Sequence, residues 1–77
     1  MPQPPETGTQ AAGLLLKEAR QAQNLTLRQV AALAGVDHSM LSKVERGEQV
    51  ASRRWLRAVT EALGRHRAEM ETDGDAA

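Results

Sequence analysis

The sequence predicts an all-α fold, a compact bundle of four or five helices, and two kinds of observation predict it. Apolar residues recur at spacings of three and four between Ala11 and Met70, and residues suited to helix starts and ends punctuate that pattern at regular intervals. A chain of 77 residues makes one domain at most and buries a modest fraction of its surface, so a partner copy is one natural source of further stability.

Helix 1 is expected from about Ala12 to Gln23, with Leu16, Ala19 and Arg20 on one face. Asn24 ends it, since asparagine tolerates the left-handed backbone a helix terminus needs. Thr26 opens helix 2, and Gln29 three residues later completes a capping-box pattern, in which each side chain satisfies the other's free backbone amide. Val30, Ala31 and Ala34 form the inward face, and Gly35 stops the helix. Asp37 starts helix 3, because its carboxylate can accept from free amides at the positive helix end. That helix extends to about Arg46, where Gly47 closes it. Ser52 caps helix 4, whose Leu56, Val59 and Leu63 give an inward stripe ending near Gly64. Whether residues 65–70 add a fifth turn of helix is left open by the pattern.

The two ends read differently from the middle. Residues 1–10 hold all three prolines and one strongly apolar residue, Met1, so a disordered arm is expected there. The ordered domain is placed at 11–70, and residues 71–77, acids with Gly74 and alanines, read as a disordered acidic tail. The absence of cysteine excludes a disulfide framework and thiolate metal sites, and no metal or cofactor is expected. The longest apolar run is Leu14 to Leu16, far short of the roughly 20 residues of a membrane span. With no apolar leader in the first thirty residues either, a cytoplasmic location is expected.

The formal net charge is zero, but its distribution is uneven. All ten basic residues lie between Leu14 and Arg67 against five acids, a net of +5, while the other five acids lie near the ends. A basic middle between acidic ends is compatible with a polyanion as partner.

Only Gly35 and Val36 join helices 2 and 3, and so short a link forces a steep crossing that demands small residues such as Ala31. Leu41 and Val44 place the first apolar contacts of helix 3 back on the core. The stretch LTLRQVAALAGVDHSMLSKVERG, Leu25 to Gly47, resembles the Cro/CI-like helix-turn-helix family, also called XRE-like, with a lambda repressor-like fold. The resemblance runs from helix 1 to the ALG at Ala62 to Gly64. It implies that Arg20, late in helix 1, pairs with Glu45 of the ERG end as a structural ion pair.

Helix 3 offers an outward face of His38, Ser39, Ser42, Lys43 and Arg46, every member able to hydrogen-bond. Such a face fits the major groove of double-stranded DNA, which admits one helix and exposes base-edge donors and acceptors. The resemblance implies that His38, Ser39, Ser42 and Lys43 read bases while Arg46 lies beside phosphate. Arg28 in the first turn of helix 2, and Arg53, Arg54 and Arg57 in the first turn of helix 4, are the further phosphate candidates, since arginines at a helix start oppose its dipole unless an anion is near. Met40 replaces an often aromatic family position and is expected at the core edge.

Trp55, the single aromatic residue, either completes the core or anchors an interface. The apolar fifth helix usual in the family has no counterpart, since residues 65–71 offer only Ala68 and Met70 as apolar side chains. The resemblance implies a regulator binding a palindromic operator as a homodimer. Repression is expected, because so small a chain shows no sensor domain for a small-molecule effector. The alternative is an interaction module, such as an antitoxin or anti-activator, with exposed Leu15, Leu33 and Trp55 as its signature. An enzyme is not expected: His38 and His66 are the two histidines, and no glycine-rich phosphate loop or carboxylate pair accompanies them. His66, between Arg65 and Arg67, reads as solvated.

Overall fold

The computed structural model describes residues 4–76, with side chains over residues 10–70. Four helices follow one another: α1 (Pro4–Ala22), α2 (Leu27–Ala34), α3 (His38–Glu45) and α4 (Arg53–Ala76). Among the described residues there is no strand, and no helix is long and apolar enough to cross a membrane.

The start signals act as their chemistry dictates. Thr26 Oγ1 accepts from the Gln29 amide at 3.1 Å, and Gln29 Oε1 accepts from the Thr26 amide at 2.8 Å, closing the capping box. Asp37 Oδ2 accepts from the Met40 amide, and Ser52 Oγ from that of Trp55. The stop signals share one geometry. Asn24, Gly35 and Gly47 have φ of 58°, 71° and 77°, and in each case the next residue's amide reaches back five positions: Leu25 to Arg20, Val36 to Ala31 and Glu48 to Lys43. This is the Schellman arrangement, which uses carbonyls that the helix end would otherwise leave unpaired.

α1 packs on α3 and α4, and α2 also packs on both of those helices. The core between them is Leu16, Leu25, Val30, Ala31, Leu41, Val44, Val59 and Leu63, with Leu41, Val30, Val44 and Val59 fully enclosed. Each enclosed side chain contributes about 1.5 to 3 kcal/mol relative to exposure, enough for a few to dominate so small a core. Leu27, Ala34, Val36, Met40, Ala51, Trp55 and Leu56 pack round its edge. Of the expected α1 face, Leu16 is buried and Arg20 half-buried, while Ala19 is exposed.

Both end helices are longer than the sequence signals suggest. Residues 4–10, expected as part of a disordered arm, belong to α1; Met1 to Gln3 lie outside the described residues. Pro4 and Pro5 stand in the first turn, where a missing amide hydrogen loses no helical bond and the fixed φ suits the helix. α4 likewise passes through Gly64, its expected end, and takes in residues 71–76 of the expected tail; Ala77 lies outside the described residues. No separate fifth helix follows. The reason for continuation past Gly64 is visible at His66, which is half-buried rather than solvated: its Nδ1 lies 2.7 Å from Gln23 Oε1, while Gln23 Nε2 donates to the Leu63 carbonyl at 3.1 Å. Gln23, the residue that follows α1, thus holds α4 on both sides of the glycine.

Candidate nucleic-acid interface

What orients α3 is a close backbone contact on one side and an ion pair on the other. At Gly13 an added Cβ would lie 2.1 Å from the Val44 carbonyl oxygen and 3.0 Å from that of Glu45, so α1 and α3 touch backbone to backbone there. Hydrophobic periodicity gives Gly13 no role. A glycine isolated within the helix-forming run AAGLLLKEAR was the available signal, since that position would otherwise weaken the helix.

Arg20 supplies the second constraint. Its Nε donates to Glu45 Oε2 and its Nη2 to Glu45 Oε1, both at 2.9 Å, while Nη1 donates to the Leu25 carbonyl at 2.9 Å. The two side chains are only 13 % and 5 % exposed. Hydrogen bonding and attraction to Glu45 outweigh the effect of burial and raise the Arg20 pKa above its ordinary value. One side chain therefore ties α1 to the α1–α2 link and to the last residue of α3. This is the arrangement the resemblance implies for Arg20 and Glu45.

With Leu41 and Val44 held inward, Met40 at the core edge and Glu45 paired with Arg20, the other α3 side chains face outward. Ser39, Lys43 and Arg46 are exposed, and His38 and Ser42 are half-buried. Arg28 on α2 and Arg53, Arg54 and Arg57 on α4 are all exposed. Met40 is half-buried against the core, at the edge where it is expected. Trp55 is also half-buried and packs on the core, with part of its surface open.

A second ion pair lies on this face. Arg46 Nε and Nη2 donate to the two Glu48 oxygens at 2.9 and 3.1 Å, and Nη1 donates to Ser42 Oγ. The Arg46 guanidinium in turn holds the Glu48 carboxyl below its ordinary pKa. Arg46 is thus drawn across the end of α3 towards Ser42, a placement that a spacing of two residues in a loop does not announce.

Among the described residues no cluster of histidine and acidic side chains could hold a metal ion. A family model described as a helix-turn-helix domain matches residues 11–72, most of the chain, with α2 and α3 whole and most of α1 and α4. None of the curated proteins matches. The matched span contains the paired α2 and α3, their short turn and the Arg20–Glu45 brace, and on that basis the chain belongs to the helix-turn-helix domain family, of the XRE/Cro-like type.

Proposed function

We propose that this protein is a sequence-specific DNA-binding transcriptional regulator that represses by occupying a palindromic operator as a homodimer. The observation that carries the reading is the division of α3 into two faces. Its inner face is fixed by Gly13, Leu41, Val44 and the Arg20–Glu45 pair, and its outer face is a row of side chains that can all hydrogen-bond. A helix held that rigidly presents its outer groups at constant positions, which base-edge readout requires.

In this reading His38, Ser39, Ser42 and Lys43 address base edges from the major groove. Lys43 suits guanine O6 and N7, His38 donates to an acceptor, and the two serines donate or accept. Arg28, Arg46, Arg53 and Arg54 neutralise phosphates, and the free amides at the start of α2 add a second kind of phosphate contact. The α4 start strengthens this assignment: its first turn carries no acid, so the arginines there oppose the helix dipole until an anion arrives. Repression is the simplest outcome of this mode of binding, because a domain seated on its operator excludes polymerase from the site it covers. The cytoplasm is the compartment where such a regulator meets its DNA, and the chemistry needs no cofactor.

Selection of bound sequences from a random DNA pool at stated salt tests the reading. Enrichment of a two-fold symmetric sequence is the expected result. A pool that emerges unenriched, with protein partners captured even after nuclease treatment, would instead favour an interaction module.

A further inference from the structure

α1 and α4 leave an unfilled space between them. Ala12, Leu15, Leu16 and Ala19 from α1, with Leu56, Thr60 and Leu63 from α4, line an apolar groove of about 350 Å³. A second depression continues it past Ala22 and Gln23 towards Arg67 and Met70. Leu15 forms a ridge on the α1 wall, 65 % exposed and continuous with the apolar groove it lines.

The two rims of the groove differ in charge. On α1, Glu18 lies three residues after Leu15 and so on the same outer side of the helix. On α4, Arg53 and Arg57 stand three residues before Leu56 and before Thr60, and both are exposed. Lys17 and Glu61 lie further round their helices, away from the groove. The patch therefore combines an apolar ridge, an apolar groove, an acidic rim and a basic rim.

We propose that this groove is the face on which two copies of the chain pair, about a two-fold axis running along the groove. The inference rests on the homodimer reading above and gives that dimer its interface. A two-fold interface must be its own complement, since the same patch meets itself after rotation. Rotation about this axis lays α1 of one copy over α4 of the other. The Leu15 ridge of each copy then faces the groove of its partner, and each Glu18 rim meets the Arg57 rim opposite. A peptide of a single charge sign would satisfy one rim and oppose the other. Arg57, read from the sequence as a phosphate contact, is assigned to the interface instead, while Arg53 and Arg54 stay with the DNA.

Sedimentation equilibrium over a wide protein range, combined with binding to single and paired DNA half-sites, tests the proposal on the intact chain. The wild type is expected to show a concentration-dependent dimer. Leu15→Glu should weaken it by at least about tenfold, as removal of a central apolar anchor does, with the monomer's own melting transition, read at dilutions where the wild type is also monomeric, preserved because Leu15 is exposed in the free chain. Glu18→Arg and Arg57→Glu should each weaken the dimer, and the combination of the two should restore it. A dimer that ignores Leu15→Glu and the charge reversals overturns the proposal and moves the interface elsewhere. A wild type that stays monomeric at every concentration also overturns it and leaves the groove to a different chain. Half-site binding separates the two levels: single half-sites bound by the monomeric variants keep the DNA reading whatever becomes of the interface, whereas a dimer that binds no DNA removes that reading and leaves the interface standing.

Discussion

Two arginine–glutamate pairs meet at the same end of α3 with nearly the same geometry and opposite surroundings. Arg20–Glu45 and Arg46–Glu48 each join Nε and Nη2 to two carboxylate oxygens, at 2.9 and 2.9 Å in the first and 2.9 and 3.1 Å in the second. The first pair is 13 % and 5 % exposed, the second 53 % and 55 %. Distance alone would rate them equal. Water decides otherwise: a buried charge that loses its partner cannot be rehydrated, whereas an exposed one turns to solvent. The difference suits their places, one bracing α3 from behind and the other lying on the exposed face proposed to meet DNA phosphate.

Replacing the buried arginine should have the largest effect. Arg20→Ala strands Glu45 and unpairs the Leu25 carbonyl, and about 3 to 5 kcal/mol of stability should be lost. Thermal melts read this directly. DNA binding should fall only as far as the folded fraction falls, so impaired binding by a variant of unchanged stability would place Arg20 at the DNA instead.

Gly13→Ala sharpens the comparison by leaving both pairs chemically intact. The new methyl meets a backbone carbonyl that has no freedom to rotate away, and α1 must back off from the end of α3. The cost should reach the upper end of the roughly 1 to 3 kcal/mol typical of overpacking. Because the same movement separates Arg20 from Glu45, a cycle of Gly13→Ala with Glu45→Gln should be strongly non-additive. Strict additivity would show that the two constraints on α3 act independently.

The exposed pair should behave in the opposite sense. Arg46→Ala is expected to leave the melting temperature unchanged and to weaken binding to all DNA sequences alike, reducing the salt slope by about one. Glu48→Gln is the mildest change. Arg46 holds the Glu48 carboxyl below its ordinary pKa, so any stability from the pair is present above the unfolded-state pKa and lost as pH falls through the lower, folded one. At this exposure the melting temperature should barely register that loss. Its trace should appear in DNA binding, where acid or Glu48→Gln releases Arg46 for phosphate, and the variant should show less strengthening at acid pH than the wild type.

Much of this was legible in the sequence because it is local. The Thr26–Gln29 box, the Asp37 and Ser52 caps and the stops at Asn24, Gly35 and Gly47 depend on residues within five positions of one another. The Arg20–Glu45 pair, 25 residues apart, was reached through the family resemblance and not through spacing. What escaped was set by packing between distant segments. Gly13 matters only because Val44 passes over it, and α4 runs through Gly64 while Gln23, some forty residues earlier, bonds on both sides. The α1–α4 groove is equally invisible to periodicity, since Leu15 and Leu56 each fit an amphipathic helix whether or not the helices close on one another.

In the proposed mode of binding, the outer face of α3 reads bases while arginines elsewhere hold the DNA backbone. Binding of Lys43→Ala and Arg53→Ala to a selected operator and to scrambled DNA, across a salt series, tests it most directly. Lys43→Ala should lose about 1 to 3 kcal/mol of discrimination at particular operator positions, and Arg53→Ala should weaken both DNAs equally with a salt slope lower by about one. Equal weakening of both DNAs by Lys43→Ala, together with a changed base preference in Arg53→Ala, would contradict the account and require the domain to dock in a different orientation.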